Sequence, residues 1–141
     1  MQKLFEYTII GNPTPKGRPR FTKSGHAYTP KKTRDAEAKI KFMLQIAASV
    51  HSKLPAKNFC NVFVSFYLHR PKRLQKKTSP PEAIPHDKRP DLDNLVKLLI
   101  DSANGVLFDD DAQIHQIIAN KWYCEIDNEP RTYIEVWSDD E

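Results

Sequence analysis

No uninterrupted run of 18 apolar residues occurs in the 141-residue chain, which excludes a membrane-spanning helix. The opening MQKLFEYTIIG lacks the long apolar stretch and the cleavage site of a secretory signal, so none is expected. Cysteine is scarce: Cys60 and Cys124 are the only two, and both fall in apolar, strand-like runs. They read as buried, reduced thiols and point to a cytoplasmic protein rather than a disulfide-stapled one. With five histidines beside them, they are too few for a zinc site of the usual composition. No repeat and no linker-like break divides the chain, so residues 1–141 are expected to form a single domain. Its 39% hydrophobic content supports a core of limited size, to which a subunit interface would add stability.

Acidic residues are absent from positions 12–34, where Lys16, Arg18, Arg20, Lys23, Lys31, Lys32 and Arg34 gather. Positions 70–89 carry seven more basic groups against only Glu82 and Asp87. Positions 107–141 reverse the balance, with ten acids and only Lys121 and Arg131 as bases. The net charge of +4 therefore understates the segregation. A positive side of this kind attracts a polyanion, of which nucleic acid is the commonest; the plainer alternative is a merely soluble surface with lysine-rich loops.

Residues 3–11, KLFEYTIIG, are aromatic and β-branched and read as a strand. The proline- and glycine-broken, basic stretch that follows excludes a regular element and reads as a functional or disordered loop. Its arginines interleave with Phe21, His26 and Tyr28, as suits contact with phosphates and bases. From a cap at Thr33 to about Ser52, Ala36, Ile40, Met43, Ala47 and Val50 recur at helical spacing. Residues 61–70 read as a strand, 71–90 as a second basic loop, and 91 to about 103 as a helix stopped by Asn104-Gly105. The runs QIHQIIANKWYCEI and RTYIEVWS read as two closing strands joined through DNEP as a hairpin. The expected fold is thus α/β (α+β): one small mixed sheet, two helices, and the order β-α-β-α-β-β. The terminal SDDE is expected to fray. Trp122 and Trp137 are read as core rather than base-stacking residues. His86 is read as an exposed loop residue, with approach to a phosphate as the sharper alternative.

Within the second helix, Asp93, Lys97 and Asp101 follow at i, i+4 and i+8 and share one face, opposite Leu92, Leu95, Val96, Leu99, Ile100 and Ala103. Aspartates at a helix start favour the positive end of its dipole. Two readings of Lys97 stand side by side: a pair of helix salt bridges, or a lysine held beside a carboxylate site that receives phosphate. Asp109, Asp110 and Asp111 form either a solvated acidic turn or part of that site. The chain must turn back after Gly105, and the return would bring Asp111 near the helix start. Carboxylates converging from two elements suit Mg²⁺, which keeps several waters and adds phosphate oxygens. Such an ion acidifies water and polarises a phosphoryl oxygen.

The stretch RPDLDNLVKLLIDSANGVLFDDDAQI resembles the signature of the RusA family of Holliday-junction resolvases, through Asp91, Asp93, Asn94, Leu95, Lys97, Asp101 and the run Asp110-Asp111-Ala112-Gln113-Ile114. PTPKGRPRF and YTPKKT near the amino terminus are similar to the opening of phage and prophage members. The resemblance implies a homodimeric, Mg²⁺-dependent endonuclease, with Mn²⁺ as the alternative ion. Its substrate would be a four-way or otherwise branched DNA, nicked in pairs to leave 5′-phosphate and 3′-hydroxyl ends, in recombination and repair. It implies a bacterial, cytoplasmic setting, with host and phage or prophage origin both open. It carries the metal ligands onto Asp91, Asp93 and Asp111 and the essential lysine onto Lys97. Lys16, Arg18, Arg20, Lys72 and Arg73 are the expected DNA contacts. Two rivals remain: a structure-selective nuclease on other branched DNA, and a catalytically silent DNA-binding module. A phosphohydrolase of small substrates would leave both basic loops without a use.

Overall fold

A computed structural model describes residues 1–139; Asp140 and Glu141 of the SDDE tail lie outside the described residues. The aromatic and β-branched opening forms β1 (Gln2–Ile10). The first basic loop is not wholly irregular, because Arg20–Phe21 (β2) and Ala27–Tyr28 (β3) pair antiparallel as a short ribbon. Helix α1 spans Lys31–Ala48, three residues earlier than the Thr33 cap would place it. Pro30 occupies the cap position instead, while Thr33 is buried and turns its hydroxyl to the first loop. The helix stops short of the expected Ser52, leaving Val50 beyond its end and 83% exposed.

The remaining elements are β4 (Cys60–Leu68), a two-residue β5 (Ile84–Pro85), α2 (Leu92–Ala103), β6 (Ile114–Tyr123) and β7 (Arg131–Ser138). Five strands make one mixed sheet in the order β1-β7-β4-β6-β5. With the two helices this is an α+β fold. β4 runs parallel to β6 and antiparallel to β7. A parallel pair needs a long crossover, and α2 supplies it.

The expected hairpin through DNEP does not form. β6 and β7 lie on opposite sides of β4, and the connection passes over the end of β4, where Cys124 N–H donates to the Leu68 carbonyl at 2.8 Å. The turn residues are there, but β4 pairs with both strands along nearly its whole length and so keeps them apart. As the central strand it is buried at six of its nine residues, which accounts for its near-continuous apolar run.

One hydrophobic cluster unites the elements. Phe5 and Ile9 of β1, Leu44 of α1, Val62, Val64 and Phe66 of β4, Leu95 and Leu99 of α2, and Ile134 and Val136 of β7 meet in it. Burying each such side chain stabilises by about 1.5–3 kcal/mol. Both cysteines are buried, as read from their apolar surroundings. Trp122 and Trp137 are not core residues. In β7 the buried positions alternate with Arg131, Tyr133, Glu135 and Trp137, and Trp122 pairs with the half-buried Tyr67, so both indoles lie half-buried on the sheet face turned away from the core. Among the described residues, no helix is long and apolar enough to cross a membrane.

Candidate active site

Asp91 precedes α2 with extended backbone (φ −70°, ψ 144°) and makes no side-chain cap bond to its own helix. Its carboxylate is therefore left for the surroundings. From its first turn the exposed stripe of α2 presents Asp93 and, four residues on, Lys97, because Leu95, Leu98 and Leu99 are drawn into the core. Leu98 was not among the residues expected to be buried.

After α2, Gly105 adopts φ +79°, a conformation other residues rarely take, and the chain doubles back. Asn104 then reaches across the turn: its Oδ1 accepts the Asp111 N–H at 3.0 Å. Gln113 anchors the same turn by donating Nε2 to the carbonyls of Ala56 and Asn58, each at 2.9 Å. Asn104 and Gln113 are thus positioning residues that spacing did not single out; the Asn-Gly pair registered only as a helix stop.

This geometry separates three aspartates that look alike in the sequence. Asp109 pairs with Lys57 at 2.9 Å on the surface. Asp110 caps the short turn that follows it, exchanging bonds with Gln113. Asp111 lines a cleft of about 690 Å³ together with Asp91, Asp93 and Lys97. The helix start and the return turn therefore share one concavity. Its carboxylates do not close on a single point: among the described residues, no three Asp, Glu, His or Cys side chains form a ready-made metal cage.

The first basic loop forms the opposite wall, contributing Lys16, Gly17 and Arg18. Lys16 is a clip. Its ammonium donates to Asp101 at 2.6 Å and Glu37 at 2.8 Å, and its N–H donates to the Asn94 carbonyl at 2.9 Å, so it ties the loop to both helices. The hydrogen bond it gives to Asp101, then that to Glu37, raises its pKa above the ordinary lysine value. Gly17 N–H donates to Thr33 Oγ1 at 2.9 Å, and a Cβ on Gly17 would stand only 2.6 Å from that oxygen, so only glycine allows the approach. Asp101 is engaged by Lys16, and neither helix salt bridge considered for Lys97 forms: no ion pair among the described residues includes Lys97.

The other expected DNA contacts are dispersed. Arg18 is exposed on the cleft, and Arg20 is exposed on β2 beside it. Lys72 and Arg73 are exposed on a separate helical turn, Lys72–Leu74, that does not line the cleft. Two basic-loop residues depart from the expected surface. Arg70 is only 1% exposed and donates to the carbonyls of Cys124, Leu74, Pro80 and Glu82. His86, expected to face solvent, is 9% exposed, with its ring 4.2 Å from that of Tyr123. Burial, and then the nearby Lys121 charge, lowers its pKa.

The chain is 28% identical over 139 residues to the uncharacterized protein YqaN of Bacillus subtilis (strain 168), an alignment covering 92% of each chain. Residues 11–137, which include every side chain of the cleft, match the family described as Endodeoxyribonuclease RusA. On that match the chain belongs to the RusA endodeoxyribonuclease family.

Proposed function

We propose that the protein is a Mg²⁺-dependent endonuclease that resolves four-way DNA junctions by paired nicking, as a homodimer, in recombination and repair. One observation carries the reading: Asp91, Asp93, Lys97 and Asp111 line a single cleft whose far wall is the basic loop bearing Arg18. The donor set is all carboxylate oxygen, which fits a hard cation. Two or three such groups without a closed cage suit Mg²⁺, whose shell is completed by waters and phosphate oxygens. When bound, the ion supplies Lewis-acid polarisation of the phosphoryl group and acidification of water.

The chain's own residues do the rest. Asp91, Asp93 and Asp111 hold the cation. Lys97, in no ion pair among the described residues, would stabilise charge on the phosphoryl oxygens, as pre-aimed cations do where charge develops. Arg18 and Arg20 hold the flanking backbone. Water adds to phosphorus as the bond to the 3′ oxygen breaks, giving 5′-phosphate and 3′-hydroxyl ends. Two such clefts related by a two-fold axis would cut opposed strands of a symmetric junction. Lys72, Arg73 and their neighbours, on a turn away from the cleft, would hold a DNA arm.

The test is cleavage of a synthetic mobile four-way junction, a flap and a linear duplex side by side, with and without Mg²⁺, with nick positions mapped. Symmetric, Mg²⁺-dependent nicks in the junction support the reading. Preference for the flap would favour a general branched-DNA nuclease, and binding without nicking would leave a silent DNA-binding module.

A further inference from the structure

Lys121 sits late in β6, in register with the buried Phe66 of β4, so its side chain leaves the sheet on the helix-covered face. It meets no carboxylate there: among the described residues, no ion pair includes it. Its Nζ donates instead to the carbonyls of Lys88, at 2.5 Å, and Pro90, at 2.6 Å. The Pro90 carbonyl belongs to the peptide unit that leads into Asp91. A half-buried ammonium is tolerated only when its donors are met, and these two carbonyls take two of its three.

The same segment is fastened to β6 at its other end. His86 N–H donates to the Lys121 carbonyl at 3.3 Å, and the His86 ring rests on Tyr123. His86 Nδ1 in turn accepts the Lys88 N–H at 3.3 Å. Residues 86–90 are thus held along β6 up to the point where the acidic pair begins. Within α2 only the Asp91 carbonyl is held, by the Leu95 N–H at 3.3 Å, and its carboxylate does not cap the helix.

We propose that Lys121 is a positioning residue for Asp91. By gripping the Pro90 carbonyl it sets the peptide from which the Asp91 carboxylate enters the cleft, and it places a positive charge behind the acidic cluster. The inference rests on the reading of Asp91 as a metal-binding carboxylate. In sequence the signal is a lone lysine inside the otherwise uncharged run Ile114–Tyr123.

The test compares the full-length protein with Lys121→Met and Lys121→Arg. In Lys121→Met, hydrogen exchange across residues 86–92 should rise about tenfold or more with the loss of two charge-assisted bonds, while α1 stays protected. Mn²⁺ affinity of the DNA-free protein, read by electron paramagnetic resonance, should weaken about 10–100-fold, the usual cost of losing a group that orients a metal ligand. Lys121→Arg, which keeps the donors, should recover much of both. Junction binding without divalent ion should stay within about twofold, since Lys121 contacts no phosphate.

Unchanged exchange at 86–92, or a rise spread equally through α1 and the sheet, would overturn the proposal. Should Lys121→Met not fold, Lys121→Gln takes its place with the same two outcomes. A wild type that nicks no junction would sink the nuclease reading alone, because local exchange still decides the role of Lys121.

Discussion

Lys16 and Lys97 line the same cleft, yet their surroundings assign them different work. Lys16 is neutralised by Asp101 and Glu37 and serves to hold the loop, whereas Lys97, on the exposed face of α2, is in no ion pair among the described residues. Lys97→Ala should therefore cut junction nicking by about 10²–10³-fold, the loss typical of one transition-state donor, with junction binding nearly unchanged. Parallel nicking and binding titrations check this; equal loss of both would remove its catalytic role. A second consequence belongs to His86. Burial disfavours its charged form, so its folded pKa lies below the unfolded value of about 6.5. Above that value both states are neutral and nothing changes. As pH falls through it, the unfolded chain takes up a proton that the folded one resists, and stability drops. The melting temperature of the wild type should thus fall between pH 7.5 and pH 5.5 more than that of His86→Phe, whose ring can still pack on Tyr123.

At the scale of elements, the second basic loop owes its shape to Arg70. Four backbone carbonyls converge on one guanidinium, and Gln75 Nε2 returns a bond to the Arg70 carbonyl at 2.5 Å. Arg70→Met would strand those carbonyls, at a cost of about 1–3 kcal/mol, and release the chain between β4 and β5. Limited trypsin digestion should then cut at Lys72, Arg73, Lys76 and Lys77 much faster than in the wild type, where the loop is pinned. This is also where the sequence stops being informative. The 3.6 period marks both helices, and runs rich in aromatic and β-branched residues mark β1, β4, β6 and β7, of which β7 alternates cleanly between buried and half-buried positions. Asp93 and Lys97 are legible for the same reason, since their spacing on α2 fixes a common face; Asp91, just outside the helix, is legible through the resemblance of its motif. Arg70, at the end of a strand-like run, and His86, in a proline-rich loop, give no local sign of burial: Arg70 is enclosed by carbonyls gathered from Leu74, Pro80, Glu82 and Cys124, and His86 by Tyr123. The DNEP turn gives no sign that β4 will come between the strands it joins, since pairing is decided by the whole sheet. Asp109, Asp110 and Asp111 are indistinguishable by spacing and are sorted only by Lys57, Gln113 and Asn104.

At the scale of the molecule, an acidic cleft walled by a basic loop poses an electrostatic problem that a cation would solve. Without one, Asp91, Asp93 and Asp111 repel a phosphate that Arg18 attracts, so metal-free DNA binding is a compromise between near neighbours of opposite sign. Removing one carboxylate should shift that compromise measurably. A unit charge near 4 Å is worth about 1 kcal/mol in water, close to a fivefold change in affinity. Asp111→Asn keeps the side chain's size, and the Asn104 bond to its backbone N–H does not depend on the carboxylate. The variant should therefore fold normally and bind a four-way junction in EDTA about fivefold more tightly than the wild type. Adding Mg²⁺ should reverse the ranking: the wild type gains affinity and nicks, while Asp111→Asn gains little and does not. Fluorescence anisotropy with a labelled junction, titrated with and without Mg²⁺ at fixed salt, reads both halves. If Asp111→Asn binds no better than wild type in EDTA, Asp111 does not face the DNA, and the cleft is not where the phosphate sits.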